Sequence, residues 1–329
     1  MRIDNSIIRL GLFVFSCWGT FHPYFPLLVF IVALFFSCWI VRYSVVNILA
    51  LLLFLPIFGL STCAAYLSGE ANVFYLFNEG RYLLVIIIGT FVMGGDSMGK
   101  ERYGILVILM FVFLGLSRGA GFVMPIYLGA LFFLLYSPLL YKTSLMLSPV
   151  TGSFTSGLAF LSDYALKKVK NGRVVSLILG GCMIVGLLVF NQIYFRGREL
   201  DFESIDRFQL YIVFWGLLHS FSLPEWLFGV GPGINLLSKV QGYEFSVVAW
   251  LVAKFSDHGF YSYMFHSEHI RLFLNFGLIG YLVYWLVIYF QFGLRFFVFF
   301  FVFGLFNSIL TVPSVLLCLL YFVMVSKQK

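Results

Sequence analysis

His266 and Ser267 stand where a polar stretch gives way to an apolar one, and nine residues later the chain reads Gly277-Leu278-Ile279-Gly280. Imidazole is the side chain whose charge changes nearest neutral pH, which makes it a natural general base. On a helix, His266, His269, Phe273, Gly277 and Gly280 would share one face. The two glycines would then admit a close helix neighbour. A hydrated interfacial histidine is the plainer reading, but Glu268, His269 and Arg271 beside it favour a site. The i, i+3 spacing of His266 and His269 suits two metal ligands. No HExxH is present and no third ligand is evident, so no metal is expected.

Other chemistry-bearing residues are arginines. Arg207 precedes an aromatic stretch and is followed by LPEWLFGVGPG. Gly229 and Gly231 there are not a dinucleotide fingerprint, because no strand-turn-helix unit surrounds them. They fit either a tight turn at a membrane surface or a backbone that approaches a phosphate closely. Arg118 sits in Ser117-Arg118-Gly119-Ala120-Gly121, at the end of an apolar run. A charge at such a boundary is costly and by default functional, although a snorkelling arginine is the alternative. Guanidinium binds phosphate bidentately and keeps its proton. Arg118, Arg196, Arg198, Arg207, Arg271 and His266 together gather cations and one titratable base, a set that fits a membrane-embedded polyanion such as a lipid diphosphate.

The elements that must position these residues are membrane helices. Of 329 residues, 61% are hydrophobic and 11% charged, with a mean hydropathy of +1.00. Soluble domains carry about 25% charged residues, so lipid must solvate most of this chain. Apolar stretches run near 6–21, 24–41, 45–67, 82–94, 103–116, 121–140, 174–195, 270–290, 294–311 and 313–326. The stretches at 82–94 and 103–116 are short for a full span of about 20 residues. The expected fold is all-α, a polytopic integral membrane bundle of about ten helices. Residues 1–195 would form an N-terminal bundle, 196–265 a large periplasmic loop, and 266–329 the C-terminal helices. A surface helix is expected near Ser204–Leu218. No cleavage site follows the first apolar run, so the first helix is expected to be retained.

Charge sets the orientation. With the N-terminus inside, the inner loops collect Arg2, Arg9, Arg42, Lys100, Arg102, Lys142, Lys167, Lys168, Lys170, Arg173, Arg295, Lys327 and Lys329, as the positive-inside rule requires. Both termini are then cytoplasmic, and 141–173 is a basic cytoplasmic loop. The long loop is exempt from the rule. The polar region 196–269 that contains it holds four of the five histidines and the acids Glu199, Asp201, Glu203, Asp206, Glu225, Glu244, Asp257 and Glu268. The net charge of +7 is thus a matter of topology, and nucleic-acid binding is not expected. Cys17, Cys38, Cys63, Cys182 and Cys318 lie in or beside apolar runs without a CxxC pair, so neither a disulfide framework nor a zinc site is expected.

In this arrangement HSEHIRLFLNFGLIG resembles the histidine-then-nine-then-GxxG signature of the bacterial O-antigen polymerase and ligase superfamily. FGVGPG resembles its Gly-rich turn, LSRGAG its S-R-G element, and Arg207 ahead of Trp215 its loop arginine. The resemblance covers discrete pieces between about 115 and 281. It implies a membrane-embedded glycosyltransferase in the bacterial inner membrane, needing no cofactor or metal. The donor would be an oligosaccharide on undecaprenyl diphosphate. His266 and Arg207 would be catalytic. Arg118, Arg271, Arg196, Gly229, Gly231 and His269 would bind diphosphate or substrate. The partners implied are that donor, membrane lipid and a chain-length regulator protein. A compact chain with 42 phenylalanines favours O-antigen polymerase. The HS-x9-GxxG run itself pulls toward O-antigen ligase, which would transfer the finished glycan to lipid A-core. A polysaccharide flippase or other transporter would show two related halves and mid-membrane charges, and neither is evident.

Overall fold

The computed structural model describes residues 42–43, 45–92, 158–159, 162–163, 206–240, 246–254 and 259–305, with 307, 308, 310, 312, 315, 316 and 319 beyond them. The spans expected at 6–21, 24–41, 103–116, 121–140 and 174–195 lie outside the described residues, as does most of 313–326. The described chain is helical apart from a two-residue antiparallel pairing of Arg42–Tyr43 with Phe91–Val92.

Helix α1 is Val45–Leu67, α2 Val73–Glu79 and α3 Arg81–Thr90. In the loop, α4 is Asp206–Ser220, α5 Leu223–Phe228 and α6 Ser246–Lys254. Helix α7 is Glu268–Phe292 and α8 is Leu294–Gly304. Three helical stretches are long and apolar enough to cross a membrane: Ile48–Leu67, Val73–Thr90 and Glu268–Phe292. By length and composition they are candidate membrane spans. The helix expected near Ser204–Leu218 forms as α4, shifted by two residues at each end.

The stretch at 82–94 is extended at its start. Its span begins at Val73, not residue 82, and takes in the polar run Asn78-Glu79-Gly80-Arg81. The helix starts early because Asn72 caps it, accepting from Phe74 N at 3.0 Å. It continues through Glu79 because that carboxylate is neutralised by Arg271. The antiparallel pairing of Arg42 with Val92 brings the start of α1 beside the end of α3, so α1 and α2–α3 form a hairpin.

The central helix is α7. Phe276 and Tyr284 on it meet Phe54 of α1 edge to face, each with centroids 5.6 Å apart, and Tyr82 of α3 joins at 5.5 Å from Tyr284. Such aromatic pairs are worth about 0.5–1.5 kcal/mol each beyond their buried area. Gln291 donates to the Ile86 carbonyl at 3.1 Å, in space that Gly89 leaves by lacking a side chain.

Helix α7 is not continuous. Gly277 has φ 66° and ψ −170°, which divides it into two helical halves. The N–H of Val230 donates to the Leu274 carbonyl at 2.8 Å, the carbonyl that an unbroken helix would pair with Leu278. Gly229 (φ 81°) packs on this break: a Cβ there would lie 2.6 Å from the Asn275 carbonyl carbon and the Phe276 nitrogen. Reciprocally, a Cβ on Gly277 would collide with the Leu227 carbonyl and the Gly229 nitrogen.

The described part of the large loop is a packed unit rather than an excursion into water. Tyr75 of α2, Leu210, Val213 and Leu217 of α4, Leu236, Phe260, Phe265, and Ile270 and Leu274 of α7 share one buried cluster. Asn235 ties its strands of chain together, accepting from Leu237 N and Phe260 N at 3.0 Å each. Gly229→Ala should therefore unfold the seam. Its positive φ costs about 1–3 kcal/mol and its Cβ has only backbone to displace. Gly69→Ala, with φ 73° but nothing within 4 Å of the added carbon, should lower the melting temperature of the detergent-solubilised protein far less. Equal shifts would rule out the clamp.

Candidate active site

The site grows from the start of α7. Ser267 is its N-cap (φ −83°, ψ 129°), and the Ser267 side chain accepts from Ile270 N. That cap ends the helix one residue after His266, so the sequence expectation that His266 shares a helical face with His269 and Gly277 is corrected. His266 lies outside the helix and is exposed, while Ser267 is 3% exposed. The Ser267 hydroxyl also donates to the Gly304 carbonyl at 3.0 Å. Tyr211 of α4 lies 3.2 Å from Ser267 Oγ and donates to the Leu305 carbonyl. Burial pushes the Tyr211 hydroxyl above its ordinary range, which keeps that proton in place for donation. Loop, α7 and the end of α8 thus meet at the residue that follows His266.

His269 points the other way. It is buried, with Nε2 2.7 Å from the Phe301 carbonyl and Nδ1 2.9 Å from the Tyr281 hydroxyl. A carbonyl can only accept, so Nε2 carries the proton and Nδ1 accepts from Tyr281. The ring stacks on Trp285 at 5.1 Å and meets Phe301 edge-on at 4.4 Å. Both nitrogens are thereby committed to protein partners, where the sequence reading set His269 beside the substrate. Among the described residues no group of three His, Cys, Asp or Glu side chains could hold a metal ion.

Arg271 is 4% exposed. Its Nη2 lies 2.9 Å and 3.0 Å from the two carboxylate oxygens of Glu79, and its Nε lies 3.2 Å from Oε1. Nη1 donates to Ser308. The guanidinium also lies 5.2 Å from the Tyr263 ring centre and 5.6 Å from that of Tyr82. Sequence reasoning assigned Arg271 to a diphosphate and overlooked Glu79. A signal was present: one acid and one arginine, each flanked by apolar runs, are costly apart and stable together.

No family model, curated protein or solved structure matches this chain.

The remaining expected residues are placed unevenly. Arg118, Arg196 and Arg198 lie outside the described residues. The backbone of Arg207 is in the first turn of α4, and its side chain lies outside the described ones. Gly231 (φ 98°) packs against α1, where an added Cβ would lie 2.8 Å from Ala65 Cβ. Both Gly229 and Gly231 are therefore held against helices, which favours the tight-turn reading for each. Asp163, from the loop 141–173, meets Arg295 at the start of α8, with Nη2 2.9 Å from Oδ2. The charge pattern assigned these two residues to the same membrane face.

Two outcomes follow for the seam. Glu79→Ala and Arg271→Ala should each cost about 3–5 kcal/mol, because each strands a buried charge. The double substitution should cost less than their sum in a denaturant double-mutant cycle; strict additivity would deny the pair. In the loop, burial alone would raise the Glu225 carboxyl, but hydrogen bonds from Lys239 and Ser222 outweigh it and hold it below its ordinary value. A depressed folded pKa gives stability that is whole above the unfolded carboxyl range and is lost as pH falls through the folded value. Limited proteolysis of the loop should accelerate across that acid window, and Glu225→Gln should flatten the dependence.

Proposed function

We propose that the chain is an O-antigen polymerase, a glycosyltransferase of the periplasmic face of the bacterial inner membrane with both termini in the cytoplasm. It would join oligosaccharide repeats carried on undecaprenyl diphosphate. The observation that carries this reading is the division of labour in the His266-Ser267-x9-GLIG run. Ser267 caps α7 and Gly277 receives the loop, while His266 is left exposed at the rim.

The reaction follows from these residues. An acceptor hydroxyl oxygen attacks the anomeric carbon of the donor glycan. The bond from that carbon to the phosphate oxygen breaks, and undecaprenyl diphosphate leaves. His266 orients the hydroxyl and takes its proton. Arg207, with Arg118 and Arg196, neutralises the charge that develops on the departing diphosphate. Arg271, engaged by Glu79, holds α7 to α2 instead of binding donor directly. A chain-length regulator would be the protein partner.

The same histidine run also supports a ligase, which would use the same donor and face but pass the glycan to lipid A-core. A deletion strain separates the two on a gel of extracted lipopolysaccharide. Loss of a polymerase leaves cores capped with one repeat. Loss of a ligase leaves bare cores and accumulated lipid-linked polymer. His266→Ala, expressed at the wild-type level, should lower chain formation by roughly 10²–10⁴-fold, and Arg207→Ala should also abolish the ladder. An unchanged ladder in either variant would remove that residue from the site.

A further inference from the structure

We infer that residues 222–233 form a re-entrant turn whose tip, at Phe228, is seated among lipid acyl chains rather than in water. Helix α1 supplies a depth scale. Ser61 donates to the Phe228 carbonyl at 3.3 Å. Gly231 lies against Ala65, and the Gly233 carbonyl accepts from Asn72 N at 2.8 Å. From 228 to 233 the chain thus climbs along α1 toward the end of its apolar span. That span closes at Leu67, before Ser68-Gly69-Glu70. Ser61 is six residues earlier, so Phe228 lies roughly 9 Å below the end of the span at about 1.5 Å per residue. Helix α7 gives a comparable depth for Val230, two residues along the turn. Val230 donates to Leu274, six residues past Glu268, again roughly 9 Å from the helix end.

At that level the turn directs an apolar side chain outward. Phe228 is 53% exposed, and on α1 the neighbouring Leu60 is 72% exposed. Leu60 belongs to a membrane span, so lipid covers it. Phe228, bonded to the residue beside Leu60, continues the same lipid-facing surface. Three backbone groups of the tip are met by protein: Gly229 N donates to Glu225 O, Val230 N donates to Leu274 O, and the Phe228 carbonyl accepts from Ser61. Irregular backbone is tolerated at membrane depth only under that condition. The capping box of Ser222 with Glu225, and the ion pair of Glu225 with Lys239, tie the top of α5 to the polar part of the loop. This placement does not depend on the proposed reaction.

The test uses the full chain with its native cysteines changed to Ser, in phosphatidylcholine nanodiscs that leave both faces open to reagent. Phe228→Cys is compared with Ser238→Cys, an exposed position in the polar part of the loop. A charged maleimide should label the first about tenfold more slowly than the second, because water is excluded from the hydrocarbon region. Bimane placed at residue 228 should be quenched by lipids brominated on their acyl chains, and bimane at 238 should not. Labelling at 228 as fast as at 238 would overturn the inference. Protection from maleimide without bromolipid quenching would also overturn it, since protein rather than lipid would then cover the tip.

Discussion

Leu274 offers a carbonyl that its own helix does not pair, in surroundings where an unpaired peptide group costs several kcal/mol. The Val230 N–H meets it at 2.8 Å, and much of the architecture follows from that bond. It requires a break at Gly277, because only glycine holds φ 66° with backbone packed on the Cα. It requires a second glycine at 229 so that the two chains can touch. It draws the Gly-rich turn down between α1 and α7, and with it the loop core that continues into Ile270 and Leu274. The loop and the central helix therefore fold as one object.

Charge inside an apolar chain is handled by pairing. Arg271 and Glu79 exchange near-bidentate hydrogen bonds at 5% and 0% side-chain exposure. Asp163 and Arg295 do the same between segments distant in sequence. Buried pairs contribute little net stability against an apolar substitute, yet losing one partner is severe. Their value here is registration. Glu79 fixes which turn of α2 faces α7, and it lets a span run through Asn78-Glu79-Gly80-Arg81 where hydropathy alone would stop it.

The two residues of the His266-Ser267 pair have separate roles. Ser267 satisfies the first turn of α7 and binds the end of α8, with Tyr211 of α4 alongside. It thus sets where α7 begins, and therefore leaves His266 outside the helix and exposed. The His266 backbone is thus anchored on one side by a buried cap while its side chain stays exposed. His269, only three residues on, is surrounded by Tyr281, Trp285 and Phe301 and serves the packing of α7 against α8.

By itself the sequence determined the apolar helical character of the chain, the long helices at 45–67 and 270–290, the helix within the loop, and the chemical kinds gathered near residue 266. These are legible because hydropathy and residue type are local properties. Tertiary structure decided which of those residues face outward. His266 and His269 look equivalent in a helical projection, but the serine cap between them separates them. Arg271 looks like an anion-binding group until Glu79, 192 residues away in sequence, neutralises it. Gly229 and Gly277 read as a turn and a packing face. Their meeting is a long-range event that no local pattern encodes, since the peptide group that needs a partner exists only once the helix has broken.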